Sequence, residues 1–478
     1  MTANKEDLAQ NQKSGGVKKD SGGDNKEERG KIACGIQQFN VCCKQELSGG
    51  KSDDASRSEI NGFILVPARQ NETGGKGEKN INAYNIEETQ KDGEDALALG
   101  KASEDSAYKP KQGEASQKGT ESERSDEKVN KAQTQIEHNT LYLVTGAQGF
   151  IGREICETLC AAGKNVRALV RKLRAELPFP QQAAICLGDL LDIASLERFF
   201  EGADGNTVVI HSAAVISVKK KSKACLDANI CGTKNIIDLC IKHKVKKLVY
   251  LGSVDGISVK KGEMHKEPSE YYPQLLKTDY AKSKAHCANL VLAAQKEGLE
   301  SAVILPSAVI GPNDYKGGFI THILKIYTKG GLPRLSVKAG YDFVDVRDVA
   351  EATVAACQKG KCGSYILSNG YLSITEVFDA FARRLGRKPT LKTFPIEILY
   401  PFAAAASFFY LFKKGEPLFT LSALNIMKIA PAYCHQRATE QLGFNPRPIE
   451  ETLNDTADFL LATVEKERAS RAQKRRKS

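Results

Sequence analysis

Hydrophobic and polar positions divide the chain near residue 139. In residues 1–138, Gly, Ser, Lys, Glu, Asp, Asn and Gln dominate, and the sparse apolar residues follow no period. Such a segment cannot bury enough apolar surface to offset the entropy that is lost on ordering. We predict a disordered tail in which Gly62–Ala68 (GFILVPA) is the one candidate for local order. The tail either regulates or tethers the protein, or it has no specific role.

From Leu141 onward, short apolar runs alternate with longer segments of helical period, which is typical of a parallel, doubly wound α/β sheet. The predicted strands are Leu141–Val144, Asn165–Arg171, one within Gln182–Asp192, Thr207–Ala214, Lys246–Ser253 and Ser301–Gly311. The predicted helices are Arg153–Gly163, Ser195–Ala203, Asn229–His243 and Tyr280–Lys296.

Beyond Gly311 the pattern loosens into loops and helices. We therefore predict a cofactor-binding domain at 139–311 that also carries the catalytic residues. A smaller, substrate-binding lobe is predicted at 312–465, of which residues 341–370 return to the core. Residues 466–478 form a basic tail.

Charge is distributed unevenly along the 478 residues, whose net charge is +11. Residues 1–140 hold 21 basic and 25 acidic residues, so the remainder carries a net charge of +15. This balance suits a phosphate-rich cofactor and an anionic surface. Clustered Lys and Arg with interleaved aromatic residues, the pattern of nucleic-acid binding, do not occur, and no nucleic-acid partner is predicted. The basic end, RAQKRRKS, is predicted to be a solvated helix end.

The 13 cysteines form no C-x-x-C pair and follow no regular spacing. Most of those that follow the tail lie in apolar runs, so free buried thiols in a reducing cytosol are predicted, with no metal site. No apolar segment follows Met1, and a cytoplasmic location is expected. The most apolar run, Pro395–Phe412, is short and is interrupted by Glu397 and Pro401. It is predicted to be a core or pocket helix, and contact with a membrane is the less favoured alternative.

The stretch TGAQGFIG, Thr145–Gly152, lies between the first strand and the first helix. Gly146 allows a tight turn, Gly149 lets a pyrophosphate approach the backbone, and Gly152 lets the helix pack closely on the strand. The helix N-terminus then offers free N–H groups and a partial positive charge to an anion. The stretch therefore predicts a Rossmann-type dinucleotide site, in which Gln148, Phe150 and Ile151 also contact the cofactor.

The ends of the next strands favour NADP over NAD. Many dinucleotide folds place an acid at the end of the second strand, whereas this chain has Arg171 and Lys172, which suit a 2′-phosphate. The alternative is that Arg171 is an ordinary surface arginine. Further contacts to the cofactor are predicted from Asp189, Leu190, Ser212, Ala213 and Ala214. His211 is predicted to support its loop and not to act as a catalyst.

Tyr280 and Lys284 form a Y-x-x-x-K pattern, which places both side chains on one face of a helix. The lysine cation is expected to lower the pKa of Tyr280, so that its phenolate can act as a general base near neutral pH. Ser253 ends an earlier strand, and its hydroxyl can hold the oxygen of a substrate. The sequence thus predicts proton transfer beside a dinucleotide.

These motifs, together with YLGSVDG, LPSAVIGPNDY and FVDVRDVA, resemble the extended short-chain dehydrogenase/reductase superfamily over about Leu141–Phe459. The similarity is greatest to the branch of NAD-dependent epimerases/dehydratases, dihydroflavonol reductases and 3β-hydroxysteroid dehydrogenases. The resemblance implies that Ser253, Tyr280 and Lys284 are catalytic. It also implies that Asn229 is a structural helper, and that Pro306 and Ser307 flank the nicotinamide.

Two departures from the family pattern concern the substrate. Gly252 precedes Ser253 where the family usually has a second hydroxyl residue, and Gly256–Ser258 (GIS) replaces the VYG of sugar epimerases. The first hypothesis is therefore an NADP(H)-preferring oxidoreductase for a secondary alcohol or ketone on an apolar, polycyclic or flavonoid-like molecule. The second is a nucleotide-sugar epimerase or dehydratase that retains NAD. The third is a non-catalytic, cofactor-sensing interaction protein.

The resemblance also implies a homodimer. Relatives often pair through the two long helices, which here lie at about Cys225–His243 and Tyr280–Lys296.

Overall fold

The computed structural model describes residues 140–174, 177–217, 221–331, 334–409 and 421–477. The predictions for residues 1–138, including local order at Gly62–Ala68, lie outside these ranges, as do the last three residues of the apolar run Pro395–Phe412.

The described chain forms fourteen strands, seven of which make one parallel sheet. The strands are β1 (Leu141–Thr145), β2 (Asn165–Val170), β3 (Ala184–Leu187), β4 (Thr207–His211), β5 (Lys247–Leu251), β6 (Met264–His265), β7 (Ser301–Pro306), β8 (Ala308–Ile310), β9 (Leu335–Lys338), β10 (Gly340–Asp345), β11 (Gly363–Leu367), β12 (Tyr371–Ser373), β13 (Lys392–Pro395) and β14 (Ala432–Tyr433). The order in the large sheet is β11-β7-β5-β4-β1-β2-β3. The predicted Rossmann-type sheet is therefore confirmed.

Eleven α-helices lie in the same ranges. They are α1 (Phe150–Ala161), α2 (Ile193–Phe199), α3 (Lys223–Lys242), α4 (Asp279–Ala293), α5 (Phe319–Thr328), α6 (Val346–Gln358), α7 (Ile374–Arg384), α8 (Leu399–Phe409), α9 (Leu421–Ile429), α10 (Gln436–Leu442) and α11 (Ile449–Lys477). Among the described residues, no helix is both long and apolar enough to cross a membrane.

The central strands are buried on both faces, which explains their nearly continuous apolar sequences. Every residue of β4, β5 and β7 is buried. One core cluster packs α1, α6 and α10 on one face of the sheet, and a second packs α3 and α4 on the other. A third cluster joins α5, α7 and α11 in the C-terminal lobe.

The structure corrects the predicted strand Ser301–Gly311, which is in fact two strands. β7 belongs to the large sheet, while β8 pairs with β10 in a separate sheet of order β12-β10-β8. Pro306 ends β7 because it has no N–H to continue the ladder, and Ser307 donates its N–H to Leu367 O at 2.9 Å. The chain changes sheets here, beside the carboxyl ends of the central strands.

Several predicted boundaries also move. The helix expected at Tyr280–Lys296 becomes α4 and a one-turn 3-10 helix, Ala294–Glu297, which ends at Gly298 with φ of 85°. The helix expected at Ser195–Ala203 is α2, whose first turn is capped by the Asp192 carboxylate. The thiols of Cys156, Cys160, Cys186, Cys240 and Cys357 are free, as predicted.

Candidate active site

The glycine turn places β1 and α1 in close contact. Gly146 has φ of 68°, and its carbonyl accepts the N–H of Gly149 at 2.7 Å. A Cβ at Gly146 would lie 2.7 Å from the backbone of Ala213, and one at Gly152 would lie 2.3 Å from Gly146 O. Larger side chains at either position would force β1, α1 and the loop after β4 apart. The N-terminus of α1 has no side-chain cap and no acidic residue in its first turn.

A chain of buried hydrogen bonds holds the glycine turn against β4 and α3. Thr145 Oγ1 lies 2.7 Å from His211 Nδ1 and accepts the N–H of Ala213 at 3.2 Å. The other ring nitrogen of His211 lies 3.1 Å from Thr233 Oγ1 on α3. Burial, with a smaller contribution from the Lys284 cation, lowers the pKa of His211 to about 3. His211 is thus a neutral hydrogen-bonding residue that connects β1, β4 and α3.

One large cavity of about 1150 Å³ lies at the carboxyl ends of the central strands. Its volume exceeds the roughly 300–1,000 Å³ of ordinary small-molecule pockets, so a dinucleotide and a second molecule can share it. The cavity brings together every site residue that the sequence predicted. These are Gly146, Gln148, Gly149, Phe150, Ile151, Gly152, Arg171, Lys172, Asp189, Leu190, Ser212, Ala213, Ala214, Ser253, Tyr280, Lys284, Pro306 and Ser307.

Ser253, Tyr280 and Lys284 meet between β5 and α4. Ser253 follows β5 and begins a one-turn 3-10 helix, where its Oγ accepts the N–H of Asp255 at 3.1 Å. Thr278 caps α4, so Tyr280 lies in the first turn and Lys284 one turn further along the same face. Lys284 is buried, and its Nζ donates to Leu251 O at 2.6 Å. The same Nζ lies 6.0 Å from the centre of the Tyr280 ring.

The electrostatics of this group differ from the prediction. Burial raises the pKa of Tyr280, the Asp255 carboxylate raises it further, and the hydrogen bond with Ser253 lowers it. The net shift of the Tyr280 pKa is therefore upward, contrary to the predicted fall toward neutrality. Burial also lowers the pKa of Lys284 to about 8. Tyr280 consequently retains its proton at neutral pH.

Asn229 connects the loop after β4 to α4. Its side chain accepts the N–H of Val215 at 2.7 Å and donates to Val215 O at 3.0 Å and to Ser283 Oγ at 2.9 Å. Asn229 is buried, and these bonds hold α4 in place between Tyr280 and Lys284. This is the geometry expected of a positioning residue.

Comparison with known proteins agrees with this arrangement. Residues 142–367 match the model of the family described as "NAD dependent epimerase/dehydratase family". Over these residues the chain resembles this family. Its similarity to named reductases and dehydrogenases supports an NAD(P)-dependent oxidoreductase of the extended short-chain dehydrogenase/reductase type.

Three similar proteins illustrate the range of the family. "Sterol demethylase protein B" of Methylococcus capsulatus is 24% identical over 310 residues, covering 64% of this chain and 93% of the relative. "3beta-hydroxysteroid-dehydrogenase/decarboxylase isoform 1" of Arabidopsis thaliana is 25% identical over 351 residues, covering 66% of this chain and 78% of the relative. The solved UDP-glucose 4-epimerase of Thermus thermophilus, complexed with NAD, is 25% identical and has a TM-score of 0.53. The match covers 67% of this chain and 99% of the epimerase.

The residues at the cofactor end of the cavity fit a nicotinamide dinucleotide. The uncapped N-terminus of α1 offers N–H groups to a pyrophosphate, and Gly149 leaves the backbone bare at that point. Asp189 keeps its turn closed because its Oδ1 accepts the N–H of Leu191 at 2.9 Å. Arg171 and Lys172 are exposed beyond the end of β2. Sequence reasoning missed three further cations that line the cavity, Arg174, Lys277 and Lys316.

Two carboxylates at the other end of the cavity were also missed. Asp255 lines the cavity beside Tyr280. Asp342 also lines the cavity, and only 5% of its surface is exposed. Ser368 Oγ donates to Asp342 Oδ2 at 3.1 Å, and Ser307 and the backbone of Asn369 and Gly370 also act on this carboxylate. Burial raises the pKa of Asp342 to about 6. Asp255 lies within the YLGSVDG motif, but no pattern in the sequence predicts that it and Asp342 face one cavity, because this depends on how β10 meets the loop after β5.

The apolar wall of the cavity comes from α9 and not from α8. Ile426 and Ile429 line the cavity, whereas no described residue of 395–409 does. The described part of the apolar run is therefore a core helix, which is one of the two predicted alternatives, and it does not line the pocket. α8 packs behind α9, where Tyr400 Oη donates to Asn425 Oδ1 at 2.8 Å. Phe402 on α8 is 69% exposed.

Proposed function

We propose that the chain is an NADPH-preferring reductase that converts a ketone on an apolar, polycyclic or flavonoid-like molecule into a secondary alcohol. The observation that carries this proposal is the position of Ser253, Tyr280 and Lys284, which face the same cavity as the glycine turn. A proton-transfer group and a dinucleotide site at the end of one parallel sheet form the arrangement that hydride transfer requires.

The side chains would act on the carbonyl oxygen. Ser253 and Tyr280 donate hydrogen bonds to it, and this orients the carbonyl carbon toward the cofactor end of the cavity. When bound, the nicotinamide supplies the hydride. Tyr280 then gives its proton to the oxygen as negative charge develops there, and the nearby Lys284 cation stabilises the resulting phenolate. The raised pKa of Tyr280 favours this direction, because the residue begins as an acid.

The preference for NADPH rests on the end of β2. Arg171 and Lys172 occupy the position at which NAD-dependent folds place an acid for the ribose hydroxyls. Both line the cavity, and their charge matches a 2′-phosphate.

The choice of substrate class rests on the substrate end of the cavity. Ile426 and Ile429 offer apolar surface, and two relatives bear names from sterol and hydroxysteroid chemistry. Asp255 and Asp342 would repel the diphosphate of a nucleotide sugar. These carboxylates weigh against the epimerase or dehydratase alternative. The support for that alternative is the similarity to the solved UDP-glucose 4-epimerase.

The first experiment is a titration of the purified protein with NADPH and with NADH, followed by nicotinamide fluorescence. We expect NADPH to bind more tightly and to exchange freely, and steroid ketones and dihydroflavonols then form the substrate panel. Tight NAD that copurifies and does not exchange would overturn the proposal in favour of the epimerase or dehydratase class.

Replacement of the proton donor tests the chemistry. Tyr280→Phe should lower kcat for ketone reduction by about 100-fold or more, the usual contribution of a general acid. Its Kd for NADPH should stay within about twofold of wild type, because the change removes one hydroxyl. Tyr272→Phe is the matched control, since Tyr272 is exposed and does not line the cavity. Full activity in Tyr280→Phe would contradict the assignment.

A further inference from the structure

The loop Asn313–Gly318, which follows β8, is fixed to the first turn of α1. Asp314 is buried and accepts the N–H groups of Gly317 at 3.1 Å and Gly318 at 2.7 Å. The Arg153 guanidinium of α1 lies 5.2 Å from the centre of the Tyr315 ring. The loop and the glycine turn line a common small hollow. A segment of the C-terminal half of the chain is thereby held against the cofactor end of the cavity.

Lys316 in this loop joins the cations that follow β2. Arg171, Lys172 and Arg174 line the same cavity. The backbone of Arg174 is fixed by Gln148, which accepts its N–H at 3.3 Å and donates to its carbonyl at 3.4 Å. The pKa of Lys316 is lowered by burial first, and then by the charges of Arg174 and Arg171. The three cations therefore lie within electrostatic reach of one another.

The Asp314 carboxylate only partly offsets the effects of burial and of the two arginines on the pKa of Lys316. Within the part of the chain that the structure describes, no salt bridge joins Arg171, Arg174 or Lys316 to a carboxylate. Asp314, the acid nearest in the loop, already accepts two backbone N–H groups. Like charges that converge on one cavity repel each other, and an anion bound between them would relieve this repulsion.

We infer that Lys316 and Arg174 bind the 2′-phosphate of NADP(H) together with Arg171. The inference rests on the proposed preference for NADPH and adds the residues that produce it. The end of β2 is where the adenosine ribose lies in this fold, whereas the pyrophosphate lies at the N-terminus of α1. Cofactor selectivity is thus divided between the stretch after β2 and a loop about 140 residues further along the chain, which closes over the ribose.

The test compares ligands that differ by one phosphate. Adenosine 2′,5′-bisphosphate and 5′-AMP are titrated calorimetrically into wild type, Lys316→Gln and Arg174→Gln, and NADPH and NADH are followed by fluorescence. We expect each variant to bind the bisphosphate and NADPH roughly tenfold more weakly, the loss of one charge-assisted hydrogen bond. Binding of 5′-AMP and NADH should stay within about twofold. Lys316→Arg should retain most of the affinity, because its charge remains.

Lys266→Gln is the matched control, since Lys266 is exposed and does not line the cavity. Equal weakening of NADPH and NADH in Lys316→Gln would place this lysine on the pyrophosphate and overturn the inference. Unchanged NADPH binding in both variants would overturn it as well. Both of these results concern the variants and leave the NADPH preference of the wild type intact. A wild-type preference for NADH would instead refute the proposed cofactor preference itself. Thermal melting of each variant separates these results from loss of folding.

Discussion

Lys284 shows how the environment of a single side chain sets the chemistry of the site. Its ammonium is buried, donates to Leu251 O, and lies 5.0 Å from the centre of the Tyr250 ring. Burial disfavours the charged form, which brings its pKa down from the ordinary 10.5 to about 8. The charge that supports Tyr280 is therefore present at neutral pH and is lost as the pH rises through this value.

This pKa predicts the pH dependence of ketone reduction. Between pH 7 and about 7.5, kcat/KM should be level, because Lys284 is charged and Tyr280 retains its proton. Above about pH 8 it should fall as Lys284 becomes neutral, by up to tenfold per pH unit for one essential proton. Asp342, with a pKa of about 6, titrates below this range. A profile that stays level to pH 9.5, measured with NADPH saturating, would contradict this role.

The sequence predicted which side chains meet at the cavity but not their electrostatics. Spacing was sufficient for Tyr280 and Lys284, because i, i+4 residues share a helix face wherever the helix lies. The raised pKa of Tyr280 could not be predicted, since it depends on burial and on Asp255. Lys316 was missed for a similar reason. Its loop carries no motif, and only the contact with α1 brings it to the cofactor end of the cavity.

At the scale of elements, a buried ion-pair network joins β10, α6 and α11. Asp345 ends β10 fully buried, accepts the N–H of Arg347, and pairs with that guanidinium through contacts of 3.0 and 2.7 Å. Arg347 also reaches Asp455 of α11 at 2.7 Å. Arg447, just before α11, pairs with Asp348 at 2.7 Å. The network fastens the C-terminal helix to the sheet that frames the cavity.

Removal of Arg447 should destabilise the fold strongly. In Arg447→Met the buried Asp348 would lose its guanidinium partner and keep only the backbone N–H of residue 447, and a buried charge that loses its ion-pair partner costs about 3–5 kcal/mol of unfolding free energy. Urea unfolding followed by circular dichroism gives the value. The control is Arg384→Met, which removes an exposed pair with Asp458 and should change stability little. A loss in Arg447→Met no larger than that of the control would show that the network is dispensable.

The spacing of apolar residues predicted most of the long strands and helices and few of the short ones. β1, β2, β4 and β5 were found because central strands of a parallel sheet are continuously apolar. The break between β7 and β8 was missed, since both strands are apolar and only their partners differ. Strands as short as β6 and β14, of two residues each, carry no periodic signal and form through the tertiary contact between them.

At the scale of the whole molecule, we propose that two chains associate through α3 and α4. The two helices pack side by side, and Ile230 and Leu290 are half-buried and also pack against the core cluster beneath the helices. A second copy would cover the two helices in a two-fold arrangement.

Light scattering with size-exclusion chromatography tests this association. Wild type should elute at twice the mass of one chain, and Leu290→Glu should shift it toward the monomer, because a carboxylate would be buried at the interface. Leu391→Glu is the control, since Leu391 is 72% exposed in the C-terminal lobe. A wild-type mass of one chain at micromolar concentration would refute the proposed dimer.

The strand order also constrains how the chain is made. β7 remains an unpaired edge until residues 363–367 emerge as β11, and α6 must form before the outer face of α1 is covered. During synthesis, the first six strands of the sheet are therefore complete while one edge and one apolar face stay open. Exposed edges and faces of this kind promote aggregation. A chain that stalls or is cut before residue 363 should be a target for chaperones and proteases, although it already carries the whole glycine turn and the Ser253, Tyr280 and Lys284 group.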